Sequence, residues 1–195
     1  MSEPLAIAQN KQPAEADLSF AAIALGGNLG DSQRILSEAI AVLDQIQSIE
    51  VSARSHFYRT APVGPPQPDY LNACILIKTG LTPVALLHQL LSVENQFGRV
   101  RQVRWGARSL DLDLLFYGDR ILDILGLTVP HPRLHERPFV LVPLMDIAPN
   151  WQHPILNQTT EQLLAQLSTT GVERLSSRLP TPCKTAPSGK PSPCH

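Results

Sequence analysis

The chain has 195 residues, of which 43% are apolar and 17% charged, and its formal net charge is -1. This length suits one globular domain with a substantial core. The near-neutral charge argues against nucleic acid as a partner, and no stretch reaches the roughly 20 apolar residues of a membrane-spanning helix.

The two ends of the chain differ in composition from its middle. Residues 1–18 lack the basic-then-apolar order of a signal peptide and are predicted to be a flexible leader. Residues 171–195 are rich in Pro, Ser and Thr and are predicted to be a disordered tail. The cysteines, Cys74, Cys183 and Cys194, have no metal-binding spacing, which favours a reducing, cytoplasmic location. We therefore expect a single folded domain at residues 19–170.

Strand and helix patterns alternate within this domain. Residues 20–28, FAAIALGGN, form an apolar run ended by glycines, which predicts a buried strand. Asp31 then caps a helix over residues 35–46, ILSEAIAVLDQI. Strands are predicted at 51–60 and 70–80, on either side of a proline-glycine loop at 61–69. Thr82 and Pro83 begin a second helix that ends at Gly98, and residues 109–118, SLDLDLLFYG, form the next strand.

The resulting β-α-β-β-α-β order predicts an α+β fold with a ferredoxin-like βαββαβ core, an antiparallel sheet with helices packed on it. C-terminal additions follow this core. They are a loop at 127–138, a helix-like apolar segment at 139–149 and a last helix near residues 159–168.

Two aspartates in the strand at 109–118 carry the strongest functional signal. Alternate side chains of a strand share a face, so Asp111 and Asp113 project together, about 7 Å apart, while the flanking leucines enter the core. Four arginines at residues 99–108 precede the pair, and arginine suits phosphate recognition. Two interpretations remain open: a solvated face with ordinary salt bridges, or Mg²⁺ and arginines gathered around a polyphosphate for phosphoryl or nucleotidyl transfer.

Other side chains suit a nucleotide or a flat heterocycle, although each also has an ordinary structural interpretation. Tyr70 and Asn72 place an aromatic ring and an amide beside the proline-glycine loop, and Asn28 offers a paired donor and acceptor. His131 could donate to a phosphate, and Glu94 could accept from a ribose hydroxyl. Trp105 could act as a lid or stacking residue.

Three long motifs occur in order along the chain: TAPVGPxxPDYLNA, GRVRxxRWGxRxLDLDLL and LTVPHPRLHERPFVLVPLxxIAP. Over roughly residues 20–155 the chain resembles the hydroxymethyl-dihydropterin pyrophosphokinase (HPPK) family. The resemblance implies transfer of pyrophosphate from ATP, as co-substrate, to 6-hydroxymethyl-7,8-dihydropterin, leaving AMP, in tetrahydrofolate biosynthesis. It implies small-molecule substrates, and nothing in the sequence demands more than a monomer.

The resemblance also implies residue roles, carried by the motif positions. Asp111 and Asp113 would bind two Mg²⁺ ions, and Arg99 and Arg108 would be the other catalytic residues. ATP contacts are implied for Glu94, Arg101, Trp105, His131 and Arg137. Contacts with the pterin substrate are implied for Asn28, Thr60, Pro62, Tyr70, Asn72 and Phe139. The chain departs from the usual family pattern at Gly27, Leu91, Ala107 and Gly126.

Two other classes of protein compete with this interpretation. A D-x-D glycosyltransferase also uses carboxylate-bound metal with a nucleotide, but it needs a larger nucleotide-binding region. An RNA-binding module can share the split βαβ fold, but it needs exposed aromatic and basic residues on the sheet face, where this chain has acids. Release of AMP that depends on both Mg²⁺ and the pterin would separate all three.

Overall fold

The computed structural model describes residues 18–62, 66–98 and 107–178, and these ranges contain eight strands and four α-helices. The strands are β1 (Ser19–Gly27), β2 (Ile49–Arg54), β3 (His56–Thr60), β4 (Tyr70–Thr79), β5 (Asp111–Tyr117), β6 (Leu122–Ile124), β7 (Leu127–Val129) and β8 (Val172–Arg178). The helices are α1 (Ser32–Gln45), α2 (Pro83–Gln96), α3 (Pro138–Met145) and α4 (Thr160–Leu164), with a 3-10 helix at Leu134–Glu136.

Six of these strands form one antiparallel sheet. Its order is β5-β1-β4-β3-β8, with β2 also paired to β4, and β6 and β7 form a separate hairpin. When β2 and β3 are counted as the one strand predicted at 51–60, the chain order is β-α-β-β-α-β, and this order and the antiparallel pairing confirm the predicted ferredoxin-like α+β core. Because β1 lies between β4 and β5, residues of these two strands that are far apart in the sequence lie close together on either side of β1.

Helices α1 and α2 cover one face of the sheet. Both begin as the sequence predicts: the Asp31 side chain accepts from Arg34 N at 3.1 Å, and the Thr82 hydroxyl accepts from Ala85 N at 3.3 Å. The apolar stripe of α1 is fully buried and packs with alternate residues of β1, including Ile23. This face therefore holds the larger part of the hydrophobic core.

Helix α3 covers only part of the opposite face. Its buried residues Val140, Leu141 and Leu144 pack with Ala22 and Phe116. The first residues of α3 lie at the end of the sheet where the two aspartates of β5 are found, and there the sheet surface stays open. This partial cover creates the space for a site.

Asp146, the residue that follows α3, joins this helix to β3. Its Oδ2 accepts hydrogen bonds from His56 N and lies 2.9 Å from His56 Nδ1, and Tyr58 OH donates to the carboxylate at 2.9 Å. Burial alone would raise the pKa of Asp146, but these hydrogen bonds together lower it. Burial, and then the bond to Asp146, raise the pKa of Tyr58 to about 12. The carboxylate is thus held in its charged form.

The structure differs from the sequence predictions in three segments. Residues 51–60 form two strands separated at Ser55, whose N–H donates to Cys74 O while its Oγ accepts from Cys74 N and donates to His56 O. The predicted loop at 127–138 contains β7 and the 3-10 helix, and Gly126, at φ 83°, makes the turn before β7.

The third difference concerns the predicted disordered tail. Val172–Arg178 is a strand, β8, which pairs with β3 at the sheet edge, and its Leu175 packs against the core. The folded part thus extends past residue 170, and that predicted domain boundary is too early. Residues 1–17 and 179–195, the rest of the predicted leader and tail, lie outside the described residues. Within the described part of the chain, no helix is both long and apolar enough to cross a lipid bilayer.

Candidate active site

A cavity of about 550 Å³ lies over the open end of the sheet. This volume is within the usual range for small-molecule sites, roughly 300–1,000 Å³. Its walls come from β1, β3, β4 and β5, from the loop before β4 and from the segment that leads into α3. The predicted residues that line it are Thr60, Tyr70, Asn72, Arg108, Asp111, Asp113, His131, Arg137 and Phe139.

The two aspartates share the cavity face of β5, as the alternation predicts. Leu110, Leu112 and Leu114 are at most 5% exposed, whereas the Asp111 and Asp113 side chains are 25% and 39% exposed. Across the β1–β5 pairing, Gly26 lies opposite Asp111 and Ala24 opposite Asp113. These small residues leave room above the sheet between the carboxylates and β4.

Cationic groups contact both carboxylates. Arg108 Nη1 lies 2.7 Å from Asp111 Oδ2, Arg137 Nη1 lies 3.8 Å from Asp113 Oδ2, and His131 Nε2 lies 4.0 Å from the same oxygen. Burial lowers the pKa of Arg137, against the opposing effect of Asp113. The charged half of the cavity therefore combines carboxylates that can bind a metal cation with guanidinium groups that can bind an anion.

His131 is oriented by the backbone beside it. The N–H of Arg133 donates to His131 Nδ1 at 3.2 Å, so in the neutral imidazole the hydrogen lies on Nε2, which points toward Asp113. Burial lowers the pKa of His131, and the nearby Asp113 opposes this effect. His131 is thereby set to donate a hydrogen bond into the cavity.

The half of the cavity over β3 and β4 is uncharged. Asn72 Nδ2 donates to Thr60 Oγ1 at 2.9 Å, and the amide Oδ1 lies 3.4 Å from where a Cβ on Gly26 would be. Phe139 forms another part of the wall, and the Arg137 guanidinium lies 5.7 Å from its ring centroid. Aromatic rings with a fixed amide and hydroxyl suit a flat heterocycle that bears hydrogen-bonding edges.

Asn28 lies beside the cavity and is not among the residues that line it. It is 4% exposed, its Nδ2 donates to Pro68 O and Gln67 Oε1, and its Oδ1 accepts from Arg108 N at 2.9 Å. Asn28 N also donates to Arg108 O. Its amide therefore joins the loop before β4 to the segment before β5, and its contact with the pterin stays a prediction.

Glu94 has a structural role that the sequence did not indicate, and its predicted contact with ATP stays a prediction. It is 1% exposed, it is not among the residues that line the cavity, and its Oε1 accepts from Leu112 N at 2.7 Å. The carboxylate thus fixes the backbone of β5 between the two aspartates from the helix side. A helical spacing cannot reveal this role, because the strand that supplies the donor lies 18 residues further along the chain.

The remaining predicted residues are not brought into the cavity wall by the described structure. Pro62 is half-buried, and its neighbour Ala61 forms the wall instead. Arg99, Arg101 and Trp105 lie outside the described residues, so their roles stay predictions.

Sequence reasoning missed several residues that line the cavity. Gln67 accepts from Asn28 Nδ2 and from Tyr70 OH, and Gly26 forms part of the floor. Arg133 and Glu136 lie in the segment before α3. The only signal for these two was their closeness to His131 and Arg137 in the motif.

The donor set of the site fits Mg²⁺. Among residues 18–62, 66–98 and 107–178, no group of three or more His, Cys, Asp or Glu side chains could hold a metal ion. Asp111 and Asp113 are two carboxylates that share one cavity face, and Mg²⁺ is commonly bound by one or two carboxylates with substrate phosphates and water. A site of this composition needs a phosphate ligand to be complete.

Paired carboxylates, guanidinium groups and an adjoining heterocycle pocket on an α+β sheet are typical of a phosphoryl-transfer enzyme. Comparison with known proteins agrees. The family model for 7,8-dihydro-6-hydroxymethylpterin-pyrophosphokinase (HPPK) matches residues 22–149, and the chain belongs to this family.

Individual relatives are similar over most of their length. The chain is 49% identical over 152 residues to 2-amino-4-hydroxy-6-hydroxymethyldihydropteridine pyrophosphokinase of Synechocystis sp., covering 78% of each chain. It is 41% identical over 145 residues to the protein of that name from Bacillus subtilis, covering 74% of this chain and 87% of the relative. A crystal structure of Plasmodium falciparum HPPK-DHPS has the same fold, with a TM-score of 0.68 at 15% identity, over 83% of this chain and 50% of that one.

Proposed function

We propose that this protein transfers pyrophosphate from ATP to the hydroxymethyl group of 6-hydroxymethyl-7,8-dihydropterin, which yields the pterin diphosphate and AMP. The observation that carries the proposal is one cavity in which an uncharged, aromatic half adjoins a half with paired carboxylates and arginines. Such a cavity can hold a heterocycle and a polyphosphate side by side. Family membership supports this choice of substrates.

The pterin is proposed to lie over β3 and β4. Asn72 and Thr60, already fixed by their mutual hydrogen bond, would receive the edge of the ring system, and Tyr70 and Phe139 would contact its faces. A fixed amide and hydroxyl discriminate strongly, because a ligand without matching groups leaves them buried and unpaired. The hydroxymethyl group would then point across β1 toward the aspartates.

Asp111 and Asp113 are proposed to hold two Mg²⁺ ions together with the ATP phosphates. Bound Mg²⁺ would neutralise phosphate charge and orient the transferring group. In the structure, Arg108 forms an ion pair with Asp111, and Arg137 lies near Asp113. With a cation bound by the carboxylates, both guanidinium groups would be available to phosphate oxygens, which their planar forks could bind bidentately.

The reaction joins the substrate hydroxyl oxygen to the β-phosphorus of ATP and breaks that phosphorus's bond to the oxygen of AMP. A loose transition state of this kind places little demand on a general base. The residues of the chain would contribute chiefly by positioning and by charge: Asn72 orients the acceptor, and Arg108, Arg137 and His131 Nε2–H stabilise the negative charge that shifts to AMP. Arg99, Arg101 and Trp105 are proposed to add ATP contacts from their loop.

The test is AMP release from ATP with the purified 195-residue chain. We expect release to require both Mg²⁺ and the pterin, and we expect no release when a sugar acceptor replaces the pterin. Pterin-independent hydrolysis, or transfer to a sugar, would contradict the proposal. Tight binding of RNA in place of ATP would favour the non-catalytic alternative. We further propose a cytoplasmic monomer without nucleic-acid or membrane partners, for which sedimentation at assay concentrations tests the monomer.

A further inference from the structure

One ion pair at the cavity wall takes no part in the proposed metal site. Arg133 Nε lies 3.2 Å from Glu136 Oε2, and both side chains are about half exposed, at 53% and 54%. In the described lining, the other two arginines, Arg108 and Arg137, lie beside the aspartates proposed to bind Mg²⁺. Arg133 differs from them because its partner, Glu136, is not one of the carboxylates proposed to bind Mg²⁺.

Hydrogen bonds hold the backbone of this segment, whereas the Arg133 guanidinium is held by the half-exposed ion pair with Glu136. Arg133 N donates to His131 Nδ1 at 3.2 Å, and Arg133 O accepts from Glu136 N at 3.3 Å. An exposed arginine–glutamate pair contributes little to stability, because solvent screens it and two long side chains lose freedom. The guanidinium can therefore exchange partners without disturbing the turn that positions His131.

Arg133 lines the same cavity as His131 and Arg137, two of the proposed ATP-binding residues. Its guanidinium charge therefore adds positive potential to the part of the cavity where the phosphates of a nucleotide are proposed to lie. A polyphosphate carries more negative charge than one carboxylate and competes well for a guanidinium.

We propose that Arg133 is a further nucleotide-contacting residue, which leaves Glu136 for a phosphate oxygen of ATP when the nucleotide binds. Glu136 then acts as a competitor that holds the guanidinium at the cavity wall while the nucleotide is absent. This inference rests on the proposed function and adds a residue to its ATP site.

Opposite effects of two substitutions test the exchange. Binding of a non-hydrolysable ATP analogue with Mg²⁺ is measured by titration calorimetry. Arg133→Ala should raise the Kd about fivefold to tenfold, because a charge-assisted hydrogen bond is lost. Glu136→Gln should lower the Kd about twofold, because the competing charge is removed. Binding of the pterin alone should not change, and the KM for ATP should rise in Arg133→Ala with little change in kcat.

The exposed pair on α1 supplies matched controls. Arg34 Nε lies 2.9 Å from Glu38 Oε1, and the two side chains are 72% and 50% exposed. Arg34→Ala and Glu38→Gln remove equivalent charges away from the cavity and should leave the Kd unchanged. A general effect of net charge would move these controls as far as the test variants.

Three outcomes would overturn the inference. An unchanged Kd in Arg133→Ala removes the contact. Weaker binding by a similar factor in both Arg133→Ala and Glu136→Gln means that the pair only stabilises the turn. If the unmodified chain binds no ATP analogue and releases no AMP, the proposed function fails and this inference falls with it. If the unmodified chain turns over normally and Arg133→Ala leaves the Kd unchanged, only the inference is refuted.

Discussion

Replacing Asp113 with asparagine should remove activity while leaving the fold intact. The side chain is 39% exposed, and its cationic neighbours Arg137 Nη1 and His131 Nε2 lie 3.8 Å and 4.0 Å away. Partly exposed pairs at these distances are screened by solvent and contribute about 1 kcal/mol or less each. For a domain of this size, the loss of both pairs, about 2 kcal/mol, would lower the Tm by roughly 4–8 °C at most.

The expected loss of activity is much larger. Asparagine keeps the shape and one oxygen but removes the negative charge that would hold Mg²⁺ against the ATP phosphates. Removal of one electrostatic contact in a preorganised site commonly costs roughly 10²–10³ in kcat. We therefore expect kcat/KM to fall about 10³-fold, which corresponds to about 4 kcal/mol of transition-state stabilisation.

Two measurements on the same preparations separate the effects. Thermal unfolding reports stability, and AMP release over a Mg²⁺ titration reports activity. Asp123→Asn is the matched control, since Asp123 is an exposed aspartate of β6 whose Oδ1 accepts from Thr128 Oγ1 at 3.1 Å. It should change neither quantity. A folded Asp113→Asn protein with near-normal turnover would refute the metal-binding role of the pair.

Three further substitutions test how the framework positions the site. Gly27→Ala should lower the free energy of unfolding by about 2–3 kcal/mol, because its Cβ would clash with the backbone oxygen of Ser109. Gly26→Ala, whose Cβ would lie 3.4 Å from the nearest atom, should cost clearly less in the same denaturant titration. Glu94→Ala should cost about 3 kcal/mol, because it leaves the buried Leu112 N–H without its acceptor, and an equal stability for Glu94→Ala and the unmodified chain would contradict this role. Asp146→Asn should cost about 2 kcal/mol at pH 7, measured by urea unfolding. The pKa of Asp146 is lowered on folding, so its contribution to stability is present above its unfolded pKa near 3.9 and is lost as the pH falls through its folded pKa. The difference in unfolding free energy between Asp146→Asn and the unmodified chain should therefore shrink below about pH 4. A difference that stays constant with pH would refute this linkage.

The fold was predictable where local patterns decide it. Asp31 and Thr82 cap their helices as their positions indicate, and alternation in β5 correctly separates the buried leucines from the half-buried aspartates that face the cavity. Strand β8 was missed because its sequence, VERLSSR, is polar and adjoins a segment rich in proline and serine. It forms by pairing with the edge of β3, a long-range contact that no local pattern contains.

The site was predictable where chemistry and strand periodicity coincide. Asp111 and Asp113 face the cavity because a period of two requires it, and the motif resemblance supplied residues of the opposite wall such as Phe139. Asn28 and Glu94 show the limit of this reasoning. Both side chains are buried, and each accepts a hydrogen bond from a backbone N–H: Asn28 from Arg108 N and Glu94 from Leu112 N. These donors are distant in the sequence, and only folding brings them near.

The position of β1 explains why both substrates can meet on this sheet. It lies between β4, which carries the uncharged half of the cavity, and β5, which carries the aspartates. Neighbouring strands are about 4.8 Å apart, so the two halves are separated by only two strand spacings. A hydroxymethyl group and a phosphate can approach each other across that distance only if the intervening strand presents small side chains. Ala24 and Gly26 meet this requirement: they lie opposite Asp113 and Asp111 on β5, and Gly26 lies opposite the cavity residue Asn72 on β4. The floor of β1 is therefore as necessary to the chemistry as the charged residues beside it.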